Sequence, residues 1–337
     1  MRAALSRLFD SIWYGGNPLE WLLRPLALAF RGAVRARRLL YRRGILTTVQ
    51  LDVPVVVVGN LTVGGTGKTP CVIWLAARLR ERGLTPGIVC RGYGGSAAEW
   101  PRAVTAQSDA AEVGDEPVLL ARRTGCPVAA GPDRAAAAAL LRRGVRGVDV
   151  VLSDDGLQHY RLARIFEIAV VDGVRGLGNG RCLPAGPLRE PPQRLREVDA
   201  IVVNGGEWGH AGVFRASVAV SGVRQTETGV MRSLSDFAGQ RVHGVAGIGH
   251  PERFFALLEA HGLEVEPHPL PDHAAIGAKD LRFADGAPVF ITEKDEVKCG
   301  AFAHADVWCA VAEMRFAAPD EERLLRALTL QLAAPAP

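Results

Sequence analysis

A chain of 337 residues has room for two domains with substantial cores, and 48% apolar with 23% charged residues is a globular composition, not a disordered or fibrous one. The net charge of +4 is uneven: residues 1–43 hold nine Arg against two acids, +7, which leaves −3 on the rest and argues against nucleic acid as a ligand. Cys71, Cys90, Cys126, Cys182, Cys299 and Cys309 form no C-x-x-C pair and no secretory leader is expected, so they read as reduced, buried thiols without a metal.

The first 43 residues read as a helical segment with Trp13, Trp21, Leu22, Leu23, Leu26, Leu28 and Phe30. Its uncharged stretch 25–30 is far short of the roughly 20 apolar residues that span a bilayer. On a helix, Arg31, Arg35, Arg38 and Arg42 share one face, while Leu26, Ala29, Phe30, Ala33 and Leu40 lie around the other. A basic amphipathic helix with Trp on its apolar side suits an anionic membrane surface; the plainer alternative is a helix packed on the domain.

Residues 55–58 are four valines in a row, followed by the loop Gly59-Asn60-Leu61-Thr62-Val63-Gly64-Gly65-Thr66-Gly67, then Lys68-Thr69 and a helical pattern over 71–82. Strand, glycine loop, Lys-Thr and helix is the order that cradles nucleotide phosphates. Loop N–H groups and the helix N-terminus face the anion, Lys68 reaches the terminal phosphates, and the Thr69 hydroxyl ligates Mg²⁺. The usual pattern has Gly at the position of Thr62, and the partitioning-type variant has Lys at the position of Val63, so neither standard subtype fits.

Strands then alternate with helices. We expect strands at 87–90, 127–130, 148–152 and 168–171, with helices at 116–123 and 133–143, the latter capped by Asp133. Residues 184–192 are a proline-rich bridging loop. A second series follows, with strands at 200–203, 242–246, 289–291 and 307–311 and helices at 252–260 and 321–332. The expectation is an α/β protein of the P-loop type, a parallel sheet covered by helices. Residues 44–193 form the nucleotide-binding domain, and 194–337 a smaller α/β domain closing over the site. Ligand belongs at the carboxyl ends of the strands, where Thr69, Asp154, Asp155 and Asp172 fall.

Asp154-Asp155 at a strand end supplies the carboxylates a phosphate-loop enzyme needs beside Thr69 to hold Mg²⁺. Gln158 and His159 follow where an acceptor would approach, and Gly114-Asp115-Glu116-Pro117 is a second acidic turn. Asp115 can take the proton of an attacking hydroxyl, or simply cap its helix.

These residues resemble the tetraacyldisaccharide 4'-kinases, the lipid A 4'-kinases of Gram-negative bacteria. The likeness lies in the phosphate loop from Gly59 to Pro70, Arg91-Gly92-Tyr93-Gly94, Gly114-Asp115-Glu116-Pro117 and Asp154-Asp155-Gly156-Leu157-Gln158-His159. It continues in Leu183-Pro184-Ala185-Gly186-Pro187-Leu188-Arg189-Glu190, Pro271-Asp272-His273 and Thr292-Glu293-Lys294-Asp295-x-Val297-Lys298. The resemblance implies transfer of the γ-phosphate of ATP to the 4'-hydroxyl of a tetraacyl glucosamine disaccharide 1-phosphate, giving lipid IVA. It places the enzyme at the cytoplasmic face of the inner membrane, reached through residues 1–43, with Mg²⁺ and ATP and no obligate protein partner. It implies that Thr62, Val63, Gly64, Gly65, Thr66, Gly67, Lys68 and Thr69 bind the nucleotide, and that Thr69, Asp154, Asp155 and Glu190 surround the metal. Asp115 is then the base, paired with His273, and Tyr93, Gln158, His159 and Arg189 face the lipid headgroup. Leu157 stands where the family usually has an aromatic residue, Ala274 and Ala275 follow His273, and His250 is the competing histidine. Two alternatives are a kinase for a soluble sugar and a membrane-associated P-loop ATPase switch acting through protein partners.

Overall fold

Val55 to Val58 are buried on both faces, which makes their strand the centre of a parallel sheet. The computed structural model describes residues 2–145, 147–272, 274–299 and 306–333. The chain opens with α1 (Arg2–Tyr14) and α2 (Leu19–Arg42), then β1 (Val55–Gly59), α3 (Lys68–Glu81), β2 (Pro86–Cys90), β3 (Arg102–Val104), α4 (Ala110–Val113) and α5 (Asp115–Thr124). Next come β4 (Val128–Ala130), α6 (Arg134–Gly144), β5 (Val150–Asp154), β6 (Phe166–Asp172), β7 (Ala200–Asn204), β8 (Phe214–Gln225) and β9 (Met231–Arg232). The chain continues with β10 (Arg241–Ala246), α7 (Pro251–Ala260), β11 (Glu264–Pro269), β12 (Val289–Thr292), α8 (Glu293–Glu296), β13 (Val307–Phe316) and α9 (Ala318–Ala333).

One sheet holds every strand among the described residues, in the order β11-β10-β12-β13-β8-β7-β6-β1-β5-β2-β4-β3, with β9 beside β8. From β4 to β8 all neighbours are parallel, and so are those from β13 to β11. The blocks join antiparallel at β8 and β13. The sheet is continuous across residue 194, since β7 and the start of β8 extend the first block.

That junction turns the two carboxyl edges toward each other. Asn204 at the end of β7 pairs with Ala216, whereas Thr292 at the end of β12 lies level, through Ala310, with Val223. Seven residues of β8 therefore separate the edges, about 23 Å at 3.3 Å per residue. Both sets of strand-end loops open into this cleft. Lys294 Nζ lies 2.5 Å from Glu116, Arg253 is 2.9 Å from Asp172, Arg175 is 3.0 Å from His250, and Arg123 bonds Glu293, so ion pairs and hydrogen bonds hold the cleft walls together.

Burial follows the strand period of two. Val56 and Val58 pack with Leu75, Leu79, Leu120, Leu324 and Leu328 of α3, α5 and α9. Val55 and Val57 pack with Ala137, Ala138 and Leu141 of α6. Each such fully buried Val or Leu stabilises by roughly 1.5–3 kcal/mol. All six cysteines are free and buried, as expected.

Helix α2 turns much of its apolar side outward. Trp21, Leu22, Leu26 and Leu28 are 63, 75, 60 and 64% exposed, while Ala27 is buried. The contacts of α2 with the body are mainly polar, Arg38 and Arg42 pairing with Glu197 and Glu20 with Arg181, while Phe30 packs on the core. Glu197 on the body draws Arg38 and Arg42 inward, which leaves Trp21, Leu22, Leu26 and Leu28 outward. Among the described residues no helix is long and apolar enough to cross a membrane.

Candidate active site

The phosphate loop leaves β1 and is held from outside. Thr62 forms a backbone bridge to Leu188, the Val63 N–H donates to Pro187 O at 2.9 Å, and the Arg189 N–H donates to Leu61 O at 2.6 Å. Thr62 has no positive φ, so glycine is not required there. Gly67 is different, with φ +95°, and a Cβ on it would come within 2.6 Å of Asn204 Nδ2. That amide donates to Thr66 O at 3.1 Å, and Asn204 Oδ1 accepts from Val218 N at 2.9 Å, so β7 and β8 fasten the loop. Helix α3 begins at Lys68 and points its free N–H groups at the loop.

Asp154 ends β5 at 2% exposure. The Thr69 hydroxyl donates to its Oδ2 at 3.2 Å, while Oδ1 is buried with no hydrogen-bond partner among the described residues. Burial, with the Glu116 carboxylate next in effect, pushes the Asp154 carboxyl up to about 7. Asp155 is the one non-glycine residue with positive φ among those described, at +49°. Burial works upward on it too, but Lys68 Nζ at 3.8 Å and Arg189 Nη1 at 2.8 and 2.9 Å outweigh that and hold it at about 2. One carboxylate is thus neutralised and its neighbour is short of positive charge. A hydroxyl and a carboxylate with a buried free oxygen are the hard donors a magnesium ion takes, so the residues fit that ion.

The other expected residues divide into those at the rim and those turned inward. Asp115 opens α5 at 5% exposure, and its Oδ1 accepts the Glu116 N–H at 2.9 Å. Beside it, the Lys294 ammonium holds the Glu116 carboxyl below its usual range. Tyr93 stands 54% exposed on the loop whose carbonyl abuts Gly114. Burial, then Arg134, pushes the His159 imidazole down to about 4, so it is neutral at pH 7. Gln158, expected to face a headgroup, instead donates to Asn60 O at 3.1 Å and to Glu190 Oε1 at 3.0 Å. Glu190, expected beside the metal, is buried with Gln158 and Tyr160 on its two oxygens and with Arg38 and Arg194 each 3.7 Å away. Those donors occupy the carboxylate and tie it to the loop brace. Leu157 is fully buried against Gly59 and offers no stacking face. His250 lies 3.0 Å from both Arg175 and Glu252 and makes no hydrogen bond to Asp115. His273 lies outside the described residues.

Three contributors went unread in the sequence. Arg134, inside the alanine-rich helix α6, is 1% exposed; Nη1 donates to Gly131 O at 2.8 Å, while Nε and Nη2 have no partner among the described residues. Its charge works downward on Asp155 and His159, so buried donors stand ready for an anion at the site. Lys294 comes from a motif quoted without a role, and Asn204 from a strand end. Only an arginine at the head of an alanine run was a readable signal.

A phosphate loop, a Thr–Asp pair below it and an acid at the facing rim, all on the carboxyl edge of a parallel sheet, define a P-loop phosphotransferase of the α/β class. The family model for tetraacyldisaccharide-1-P 4'-kinase (LpxK) matches residues 19–332, and the chain belongs to that family. It is 54% identical over 319 residues to the tetraacyldisaccharide 4'-kinase of Alkalilimnicola ehrlichii, covering 91% of this chain and 93% of the relative. The Nitrosococcus oceani enzyme is 53% identical over 304 residues, covering 90 and 89%. The crystal structure of LpxK from Aquifex aeolicus in complex with ATP superposes with a TM-score of 0.79 at 26% identity, covering 93% of this chain and 99% of that one. The α/β fold and the family resemblance read from the sequence both stand.

Proposed function

We propose that this chain transfers the γ-phosphate of ATP to the 4'-hydroxyl of a tetraacyl glucosamine disaccharide 1-phosphate, forming lipid IVA. The observation that carries the reading is the Thr69–Asp154 pair, 3.2 Å apart, with its free buried oxygen at the foot of the phosphate loop. Loop N–H groups and Lys68 hold the phosphates and offset the charge on the transferring group. Asp115 takes the proton from the 4'-hydroxyl, whose oxygen bonds the γ-phosphorus as the bond to the ADP oxygen breaks. His273 is assigned to orient Asp115, and Tyr93, His159 and Arg134 to the acceptor and its anionic oxygens. Arg189 acts by holding Asp155, and Gln158 with Glu190 by bracing the loop. Thr69, Asp154 and Asp155 would hold Mg²⁺, which when bound neutralises phosphate charge.

The test is transfer of labelled phosphate from ATP to the tetraacyldisaccharide 1-phosphate in detergent. Asp115→Ala is expected to lower turnover at least about 100-fold, the usual share of general base catalysis. Near-normal turnover in that variant removes Asp115 from the mechanism, and transfer to a soluble sugar but not to the lipid overturns the substrate.

The outward face of α2 supports a peripheral seat on the cytoplasmic face of the inner membrane. Three changes, Trp21→Glu, Leu22→Glu and Leu26→Glu together, are expected to weaken co-sedimentation with anionic vesicles at least about 10-fold, each losing apolar contact with the acyl boundary. Undiminished co-sedimentation refutes this seat.

A further inference from the structure

The second block carries a side-chain cluster that the kinase reading does not use. In β10 and β11 the register pairs His243 with Glu266 and Val245 with His268, so His243, Glu266 and His268 rise from one sheet face. His243 Nδ1 lies 3.0 Å from His268 Nε2 and 3.9 Å from Glu266 Oε2, and His268 Nε2 lies 3.9 Å from Glu266 Oε1. His243 Nε2, on the opposite side of the ring, is 2.9 Å from Asp285 Oδ1. Phe283 walls the cluster, stacked 3.7 Å from the His243 ring and 4.4 Å from that of His268. His243 is buried, whereas Glu266 and His268 are partly exposed and leave an entry path.

We propose that His243, His268 and Glu266 form a structural site for a borderline divalent metal ion, Zn²⁺ above all. Two imidazole nitrogens and a carboxylate are a donor set for zinc, not for the hard ions that take oxygen alone. Donor atoms bound to a tetrahedral zinc sit roughly 3.3 Å apart, a separation bracketed by the 3.0 Å between the two imidazole nitrogens and the 3.9 Å from His268 Nε2 to Glu266 Oε1. An Nε2–H donated to Asp285 leaves His243 Nδ1 a lone pair facing the ion, the outer carboxylate arrangement that zinc histidines use. Arg241 Nη2 lies 2.5 Å from Glu266 Oε2, so that oxygen is taken and Oε1 is the metal-facing one. The competing arrangement is a metal-free His–His hydrogen bond, His268 Nε2–H donating to His243 Nδ1; on binding, His268 carries its proton on Nδ1. The ion has structural work here. β11 is the edge strand and contains Pro267 and Pro269, which donate nothing to the ladder, so a clip to β10 offsets a weak pairing.

The experiment is calorimetric titration of the untagged full chain with ZnCl₂ in millimolar Mg²⁺, which occupies oxygen-only sites, alongside thermal melts and Co²⁺ spectra. One saturable equivalent is expected, with visible Co²⁺ d–d absorption and a Tm rise of several degrees when zinc is about 100-fold above its Kd. His268→Ala and Glu266→Gln should each abolish that equivalent, and Asp285→Asn should weaken it about 10-fold. Phosphate transfer should be unchanged in Glu266→Gln, a surface substitution that serves if His268→Ala folds poorly. No saturable zinc binding, no Co²⁺ absorption, or binding that persists in Glu266→Gln overturns the site.

Discussion

Lys68→Ala is expected to lower kcat/KM for ATP about 1,000-fold, near 4 kcal/mol, while the protein still folds. Lys68 opens α3, and its side chain is 14% exposed with Nζ 3.8 Å from Asp155. Removing one preorganised donor from a transferring oxyanion costs about 100- to 1,000-fold, and the loss here belongs at the upper end because two effects add. The phosphates lose a positive charge, and Asp155 turns from a shared partner into a repulsive neighbour held by Arg189 alone. The fold should survive because Asn204, Leu188 and Pro187, not Lys68, fasten the loop. Lys68→Arg should rescue little, since a planar guanidinium does not fit a cradle shaped for a compact ammonium. The check is steady-state kinetics in ATP with a thermal melt as control; a loss under 10-fold would show that Lys68 is not at the transferring phosphate.

That lysine was legible because its chemistry is written in consecutive residues. So were the valine strand, the Asp133 cap, which accepts from Ala135 and Ala136 N–H, and the acids at the strand ends. What was not legible depends on partners far along the chain. Lys294 meets Glu116 across 178 positions, and Asn204 meets Thr66 across 138, distances at which no local pattern carries a signal. Strand β8 went unread although Phe214, Ala216 and Val218 alternate with Arg215 and Ser217 at the strand period. Strand β11 went unread because two prolines argue against a strand except at an edge, which is where it lies. A helical wheel groups the residues of α2 by face, yet it does not say which face meets the body. Glu197 decides that by drawing Arg38 and Arg42 inward, while Glu20, on α2 itself, reaches Arg181 of the body.

Asp154→Asn should abolish transfer, by at least about 1,000-fold, and yet stabilise the metal-free protein at pH 8. The sign follows from linkage. The Asp154 carboxyl has a folded value of about 7 against a reference of 3.8. Below 3.8 both folded and unfolded chains carry the proton and the residue has no effect. Between 3.8 and 7 the unfolded chain gives it up first, so stability falls as pH rises, and above 7 the full deficit remains. That deficit is up to about 4 kcal/mol, and Asn, uncharged at every pH, does not incur it. Melts in EDTA should therefore show the variant several degrees above the parent at pH 8, with less than half that gap at pH 5. Millimolar Mg²⁺ should close the gap at pH 8, because only the parent carries the carboxylate that gains a cation. A variant melting below its parent at pH 8 in EDTA would mean that Asp154 is already paired in the metal-free fold, and the buried oxygen would no longer mark a cation site.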